Sequence, residues 1–166
     1  GWSDSVAALL MLWYPGMEGG HALADVLLGR INPGGRLPFS VPSSEQHLPP
    51  FDKEASQIEY DLWHGYRKLE RDGNTAAYPF GYGLSYTEFQ YRTLALERGT
   101  VPAGEVLKLV VELENVGKHA GDEVVQVYVR YPHSSVERAP RELKAFTRVR
   151  LEPGEVRSVR LEVDTR

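Results

Sequence analysis

The sequence predicts an α/β fragment followed by an all-β antiparallel sandwich. Two observations carry that reading, and a third divides the chain. An apolar run at Val6–Tyr14 feeds a glycine-rich turn, a short helical stripe, a second turn and a second short apolar run, which is one complete strand–loop–helix–strand unit. From Phe89 onward the apolar residues alternate, at the spacing of short antiparallel strands. Residues 43–83, between them, show neither period.

Val6–Tyr14 (VAALLMLWY) is apolar at every position, the pattern of a strand covered on both faces in a parallel sheet. Pro15-Gly16 ends it. Glu18–Leu28 reads as a short helix with Leu23, Val26 and Leu27 on one stripe, and Gly29 falls where a left-handed C-terminal cap is wanted. Asn32-Pro33-Gly34-Gly35 is a strong turn signal, and Leu37–Val41 is a short strand closed by Pro42. A helix between two strands implies a right-handed parallel crossover. Residues 1–42 are therefore expected to be the C-terminal part of a larger α/β layer, 43–83 an interdomain linker, and 84–166 the sandwich. The linker carries Phe51, Tyr60, Trp63, Tyr66, Tyr78 and Phe80, too many rings for a free, solvated tether, so it is expected to pack on a surface.

In the sandwich, Leu107, Leu109, Val111 and Leu113 line one face, with Lys108, Glu112 and Glu114 opposite. Val125, Val127, Val129 and Tyr131 repeat the alternation; Leu143, Ala145, Val149 and Leu151 form a third run, and Val159, Leu161 and Val163 a fourth. Asn115-Val-Gly117, Tyr131-Pro132 and Glu152-Pro-Gly154 separate them as turns. With Phe89–Leu96 that makes five strands, whereas an immunoglobulin-type sandwich has about seven. The chain ends at Arg166 directly after a strand, so the sandwich is expected to be truncated, with one sheet edge unpaired.

Composition narrows the function. Residues 1–100 carry 8 Lys/Arg against 12 Asp/Glu and residues 101–166 carry 11 against 11, so no basic patch invites nucleic acid. No apolar run approaches the roughly 18 residues of a membrane span. With no cysteine there is neither a disulfide, nor thiolate catalysis, nor cysteine-ligated zinc, and a cysteine-free chain fits a reducing or an oxidising compartment alike. The histidines, His21, His47, His64, His119 and His133, form no metal-ligand spacing, and no G-x-S-x-G elbow is present; the turn at Gly16–Gly20 could hold a phosphate at a helix start but lacks the G-x-G-x-x-G and P-loop spacings, so it is a weak signal. No cofactor is implied.

Several motifs in register resemble one family. PGMEGGHALADVLLGRINPGGRLPFSVP looks like the segment that closes the αβα sandwich domain of family 3 glycoside hydrolases. WHGYR (63–67) and YPFGYGLSYTEF (78–89) resemble that family's connection. GDEVVQVYVRYP (121–132) and RELKAFTRVRLEPGE (141–155) resemble its fibronectin type III-like domain. The resemblance covers essentially the whole chain. It implies a retaining, exo-acting β-glycosidase, most often a β-glucosidase, acting on a β-linked oligosaccharide or glycoside. Retaining chemistry needs two carboxyl groups about 5–5.5 Å apart across the scissile bond. The resemblance places the nucleophile in a preceding barrel domain and the acid/base upstream of the matched PG-x-EGG segment. No catalytic residue is therefore assigned to any position here.

Five residues stand as candidates for a substrate border or a domain junction: Glu18, Trp63, His64, Tyr66 and Arg67. Glu18 opens a helix in a glycine-rich loop; complementing the helix dipole accounts for it better than catalysis does. Aromatic rings can stack on sugar C–H faces while Arg and His bond hydroxyls, so the cluster at 60–67 could border a sugar. The same rings would equally pin the linker, each burying enough area for about 1.5–3 kcal/mol, and this reading outweighs the other. The leading functional reading is thus the structural C-terminal portion of a family 3 hydrolase, inactive by itself. The alternative is a non-catalytic fibronectin-like module that binds a protein or a glycan.

Overall fold

The computed structural model describes residues 2–165. Helix α1, Gly19–Leu27, lies inside the expected span and closes as expected. Gly29 is left-handed at φ +71°. Its N–H bonds the Val26 carbonyl at 3.0 Å while Arg30 N–H reaches the Asp25 carbonyl at 2.8 Å, the paired reverse bonds of a Schellman ending. Arg30 also pairs with the Asp25 carboxylate at 3.1 Å.

Two expectations for this region are corrected. Val6–Tyr14 is not a strand: among the described residues nothing pairs with it. Its large side chains at 6 and 9–13 are 38–55% exposed. A strand exists through its ladder, and a run apolar on both faces needs neighbours and two covering layers, which no element among the described residues provides. Trp13 takes a left-handed backbone at φ +55°, sterically costly for a residue with a Cβ, and its ring meets Phe39 edge-on at 5.5 Å. The second expected strand shrinks to β1, Val41–Pro42, which pairs antiparallel with β2, Ala76–Tyr78, so the parallel crossover is absent among the described residues. Pro38 and Pro42 remove donors at each end of the Leu37–Val41 run. Leu37 instead exchanges backbone bonds with the end of the linker, donating to Tyr82 O and accepting from Gly81 N–H, both at 2.8 Å.

Residues 43–83 are more ordered than their lack of period implies. A 3-10 turn at Glu45–His47 is capped by the Ser44 hydroxyl, which accepts from Gln46 N–H at 3.3 Å. Gly65–Arg71 forms helix α2. Seven residues make about two turns, too few to print a stripe on the sequence. Leu69 is buried beneath it, and Lys68 ties its end through Asp72 at 2.5 Å.

The sandwich follows the alternation closely. Its strands are β3 (Phe89–Leu96), β4 (Val106–Asn115), β5 (Gly121–Val129), β6 (Glu142–Leu151) and β7 (Val156–Asp164). They form two antiparallel sheets, β3-β4-β7 and β5-β6. Leu109, Val111 and Leu113 of β4, Val125 of β5, Val149 and Leu151 of β6, and Val159, Leu161 and Val163 of β7 make one buried aliphatic cluster between them. Asn115, wholly buried, is fully satisfied: Nδ2 donates to the His119 and Leu151 carbonyls at 2.8 and 3.1 Å. Its Oδ1 accepts from Thr87 Oγ1 at 2.6 Å and Gly117 N–H at 3.1 Å. On β3 the inward positions Leu94 and Leu96, opposite Val111 and Leu109, stay 69% and 46% exposed because the two-stranded sheet does not extend over them. Arg166, where the sandwich is expected to stop short, lies outside the described residues.

Amide exchange in the 166-residue chain is expected to be slowest at Leu113 and Leu151 and fast across Val6–Tyr14, where no ladder holds the backbone. Slow, cooperative exchange through 6–14 would contradict the exposed assignment. Leu113→Ala should cost about 2–5 kcal/mol, read as a lower urea midpoint with an unchanged slope.

Candidate functional site

Most of the ion pairs, side-chain amide bonds and ring contacts outside the sandwich lie at a seam where residues 32–36 and 66–86 meet β5, β6 and the turn before β5. Glycines permit the close approach. A Cβ on Gly34 would fall 2.6 Å from Arg148 Nη2 and 3.0 Å from Asp122 Cβ, and one on Gly83 would fall 2.2 Å from the Gly35 carbonyl oxygen. At the first contact, Asn32 joins three segments. Its Oδ1 accepts from Ser85 Oγ at 3.0 Å and Tyr86 N–H at 2.8 Å, and its Nδ2 donates to Ala120 O at 2.9 Å. Tyr86 carries the link back to α1 by donating its hydroxyl proton to Val26 O at 2.9 Å. Arg36 pairs with Glu123 at 2.6 Å, and Arg148 with Asp122 at 2.7 Å.

The second contact is aromatic and is made by α2. The Tyr66 ring lies between Phe80, at 5.4 Å, and Tyr128, at 6.0 Å. Its hydroxyl accepts from Leu143 N–H at 3.1 Å. Arg141 lies over Tyr128 at 4.7 Å and pairs with Glu70 of α2 at 2.5 Å. Rings and cations so arranged gain beyond area burial, and they satisfy the polar tips that an aromatic junction would otherwise strand.

The sequence candidates divide between this seam and the solvent. Tyr66 is at the centre of the seam, with the Arg67 guanidinium 5.9 Å from its ring centre. Trp63 is half-buried, its ring covered by Arg71 at 4.5 Å. His64 occupies the N-cap of α2 without a side-chain cap bond. Its Nδ1 lies 2.6 Å from Asp61 O, which fixes the proton on that nitrogen because a carbonyl can only accept. Glu18 stands apart. Its side chain is 82% exposed, it makes no cap bond, and its carboxylate meets the exposed His21 Nδ1 at 2.6 Å. No hydrogen bond, ion pair or ring contact among the described residues joins Glu18 to the other four.

A general acid at neutral pH needs a raised carboxyl pKa. The carboxyl shifts among the described residues run the other way. The Arg71 bond, then the Lys68 bond, pull Asp72 down to about 2. Lys144 at 2.9 Å lowers Glu142, and the Glu152 N–H followed by Arg157 lowers Glu155. These carboxylates are structural anions. Among the described residues no three His, Asp or Glu side chains converge as metal ligands.

Residues 1–86 match the glycosyl hydrolase family 3 C-terminal domain model. The chain belongs to that family. Residues 123–166 match the fibronectin type III-like domain model. Thermostable beta-glucosidase B of Acetivibrio thermocellus is 40% identical over 99% of this chain and 22% of its own length. The structure of beta-glucosidase 3B from Thermotoga neapolitana in complex with glucose superposes with a TM-score of 0.88 at 40% identity, covering 98% of this chain and 24% of that one. The beta-glucosidase of Kluyveromyces marxianus, in complex with glucose, gives a TM-score of 0.86 at 40% identity over 98% and 20%. This family 3 chain thus spans about a fifth to a quarter of the relatives it matches.

Sequence reasoning missed the polar half of the seam: Asn32, Arg36, Glu70, Glu123 and Arg141. One signal was available. The alternation Val125, Val127, carried back two places, puts Glu123 on the apolar face, and a carboxylate there requires a cation. Nothing local in the sequence says that the cation is Arg36.

Two measurements probe the seam. Gly83→Ala should destabilise the chain by about 1–3 kcal/mol, because its new methyl meets backbone that cannot rotate away; an unchanged melt would mean the segments are further apart in solution. The folded pKa of Asp72, about 2, lies below its ordinary 3.8, so the ion pairs at the end of α2 hold above about pH 4 and are lost as pH falls through 2. Titration of the Asp72 carboxyl by NMR should give a midpoint near 2, and a midpoint near 3.8 would show that Arg71 and Lys68 do not hold it.

Proposed function

We propose that this chain is the C-terminal portion of a retaining, exo-acting β-glycosidase of the β-glucosidase type, which hydrolyses O-glycosidic bonds of β-linked oligosaccharides or glycosides. Its part in that enzyme is structural. Residues 1–42 close the α/β sandwich domain, 43–83 are the linker, and 84–166 form the fibronectin-like domain. The observation that carries this is the match of nearly the whole chain, at 40% identity, to about a fifth of proteins named beta-glucosidases. Two features of the chain support it. The carboxylates whose titration is shifted are all held as anions by cations or N–H donors. Of the residues singled out from 63 to 67, Tyr66 packs on the sandwich and Trp63 under Arg71 of α2, which leaves their rings engaged in packing.

Double displacement at a sugar carbon needs one carboxylate to attack and a second carboxyl to protonate the leaving oxygen. On this reading both come from parts of the enzyme other than this chain, and the seam keeps the sandwich against the domain that supplies one of them. A self-standing interaction module is the weaker alternative. It would leave the apolar side chains of Val6–Tyr14 in water, a surface that a stable monomer does not maintain.

Purified 166-residue chain, incubated with an aryl β-glucoside, is expected to release no phenol above the blank. Turnover that survives repurification, and follows the protein through a column, would place a catalytic pair within these residues and overturn the structural role.

A further inference from the structure

We infer that Arg36 is a plug on which the sandwich depends: a guanidinium supplied by the α/β segment pairs with a carboxylate, Glu123, that faces the interior of the sandwich. The proposal does not rest on the glycosidase reading.

Glu123 lies on the inner face by register. It is opposite Val149, which is 8% exposed, and two residues before Val125, which is 1% exposed. Its side chain is only 17% exposed. A carboxylate at such a position is held in place only by a cation and hydrogen-bond donors. Among the described residues the sandwich itself offers it one side-chain donor. Tyr91, at an inward position of β3 opposite Leu113, gives its hydroxyl proton to Glu123 Oε1 at 3.0 Å. Burial, then the Glu123 charge, pushes the Tyr91 phenol up, which keeps it a donor.

The cation comes from outside the sandwich. Arg36 Nη2 meets Glu123 Oε2 at 2.6 Å and lies 3.4 Å from Asp122 O, while its Nη1 donates to Gly35 O at 3.1 Å. Its side chain is 10% exposed and passes beside Gly83, where a Cβ would lie 3.1 Å from Arg36 Cδ. Lys108 and Glu162, on the sandwich surface, are 3.9 Å apart and more than half exposed, the kind of pair that contributes little. Arg36 and Glu123 are of the other kind: removing one partner leaves a charge desolvated, whereas removing both with apolar side chains of similar volume is close to neutral.

The test compares Arg36→Ala with the double variant Arg36→Met/Glu123→Met in the 166-residue chain. Arg36→Ala should lower the thermal midpoint by on the order of 5–10 °C and speed exchange at Val125 and Val149. The double variant should regain at least half of that loss. Guanidinium at low millimolar concentration, well below denaturing levels, should raise the midpoint of Arg36→Ala, whereas ethylammonium should not. If Arg36→Ala does not fold, a folded double variant supports the plug. An unchanged midpoint in Arg36→Ala, a double variant no better than the single, or equal response to both cations would overturn it.

Discussion

The outer side of the β5-β6 pair sets the arrangement of the chain, because part of it is covered by backbone rather than by water. A sheet face can be approached that closely only where the approaching chain lacks side chains. Gly34 and Gly81, with Cβ positions that would strike Arg148, Asp122 and Gln126, meet that condition. Once the backbone is so near, its polar groups lose water and must be satisfied locally. Asn32, Arg36 and the Tyr66 hydroxyl do so: they meet the Ala120 carbonyl, the Asp122 carbonyl and the Leu143 N–H in turn.

The two contact regions of the chain therefore hold by different physics. Between the sheets the contacts are aliphatic, from Leu109 through Val163, and their stability scales with area. At the seam they are ion pairs, side-chain amide bonds and tilted rings, which fix orientation more than they add affinity. Interfaces between domains of one chain are commonly of this polar kind. The rings of residues 43–83 enter that packing through Tyr66, which lies between Phe80 and Tyr128.

What could be read in the sequence was what is encoded locally. The alternation at Leu107–Leu113 and Val159–Val163 located β4 and β7 because antiparallel strands with one buried face carry their own period. The helix end at Gly29 was legible because a left-handed cap has a chemical requirement. Val6–Tyr14 misled because continuous apolarity records burial by neighbours and says nothing of whether they are present. Helix α2 was illegible: its seven residues are held by Leu69 and by contacts to β5 and β6, not by propensity. Of the candidate site, the aromatic half was visible as a cluster from Tyr60 to Arg67. The charged half was not, since Arg36 and Glu123, or Glu70 and Arg141, meet only through the fold.

The pairing of β4 with β7 has a kinetic consequence. Val106 lies opposite Asp164 and Glu114 opposite Val156, so this ladder closes around the whole of β5 and β6. Loop-closure entropy must be met before any of its contacts is gained, whereas β5 and β6 join across a much shorter connection. The β3-β4 and β5-β6 ladders, each closed by a short connection, are therefore expected to form ahead of the β4-β7 ladder. Asn115 bonds at once to the Leu151 carbonyl at the end of β6, to His119 in the turn before β5 and to Thr87 ahead of β3, so it reaches its full set of partners only when that closure is complete.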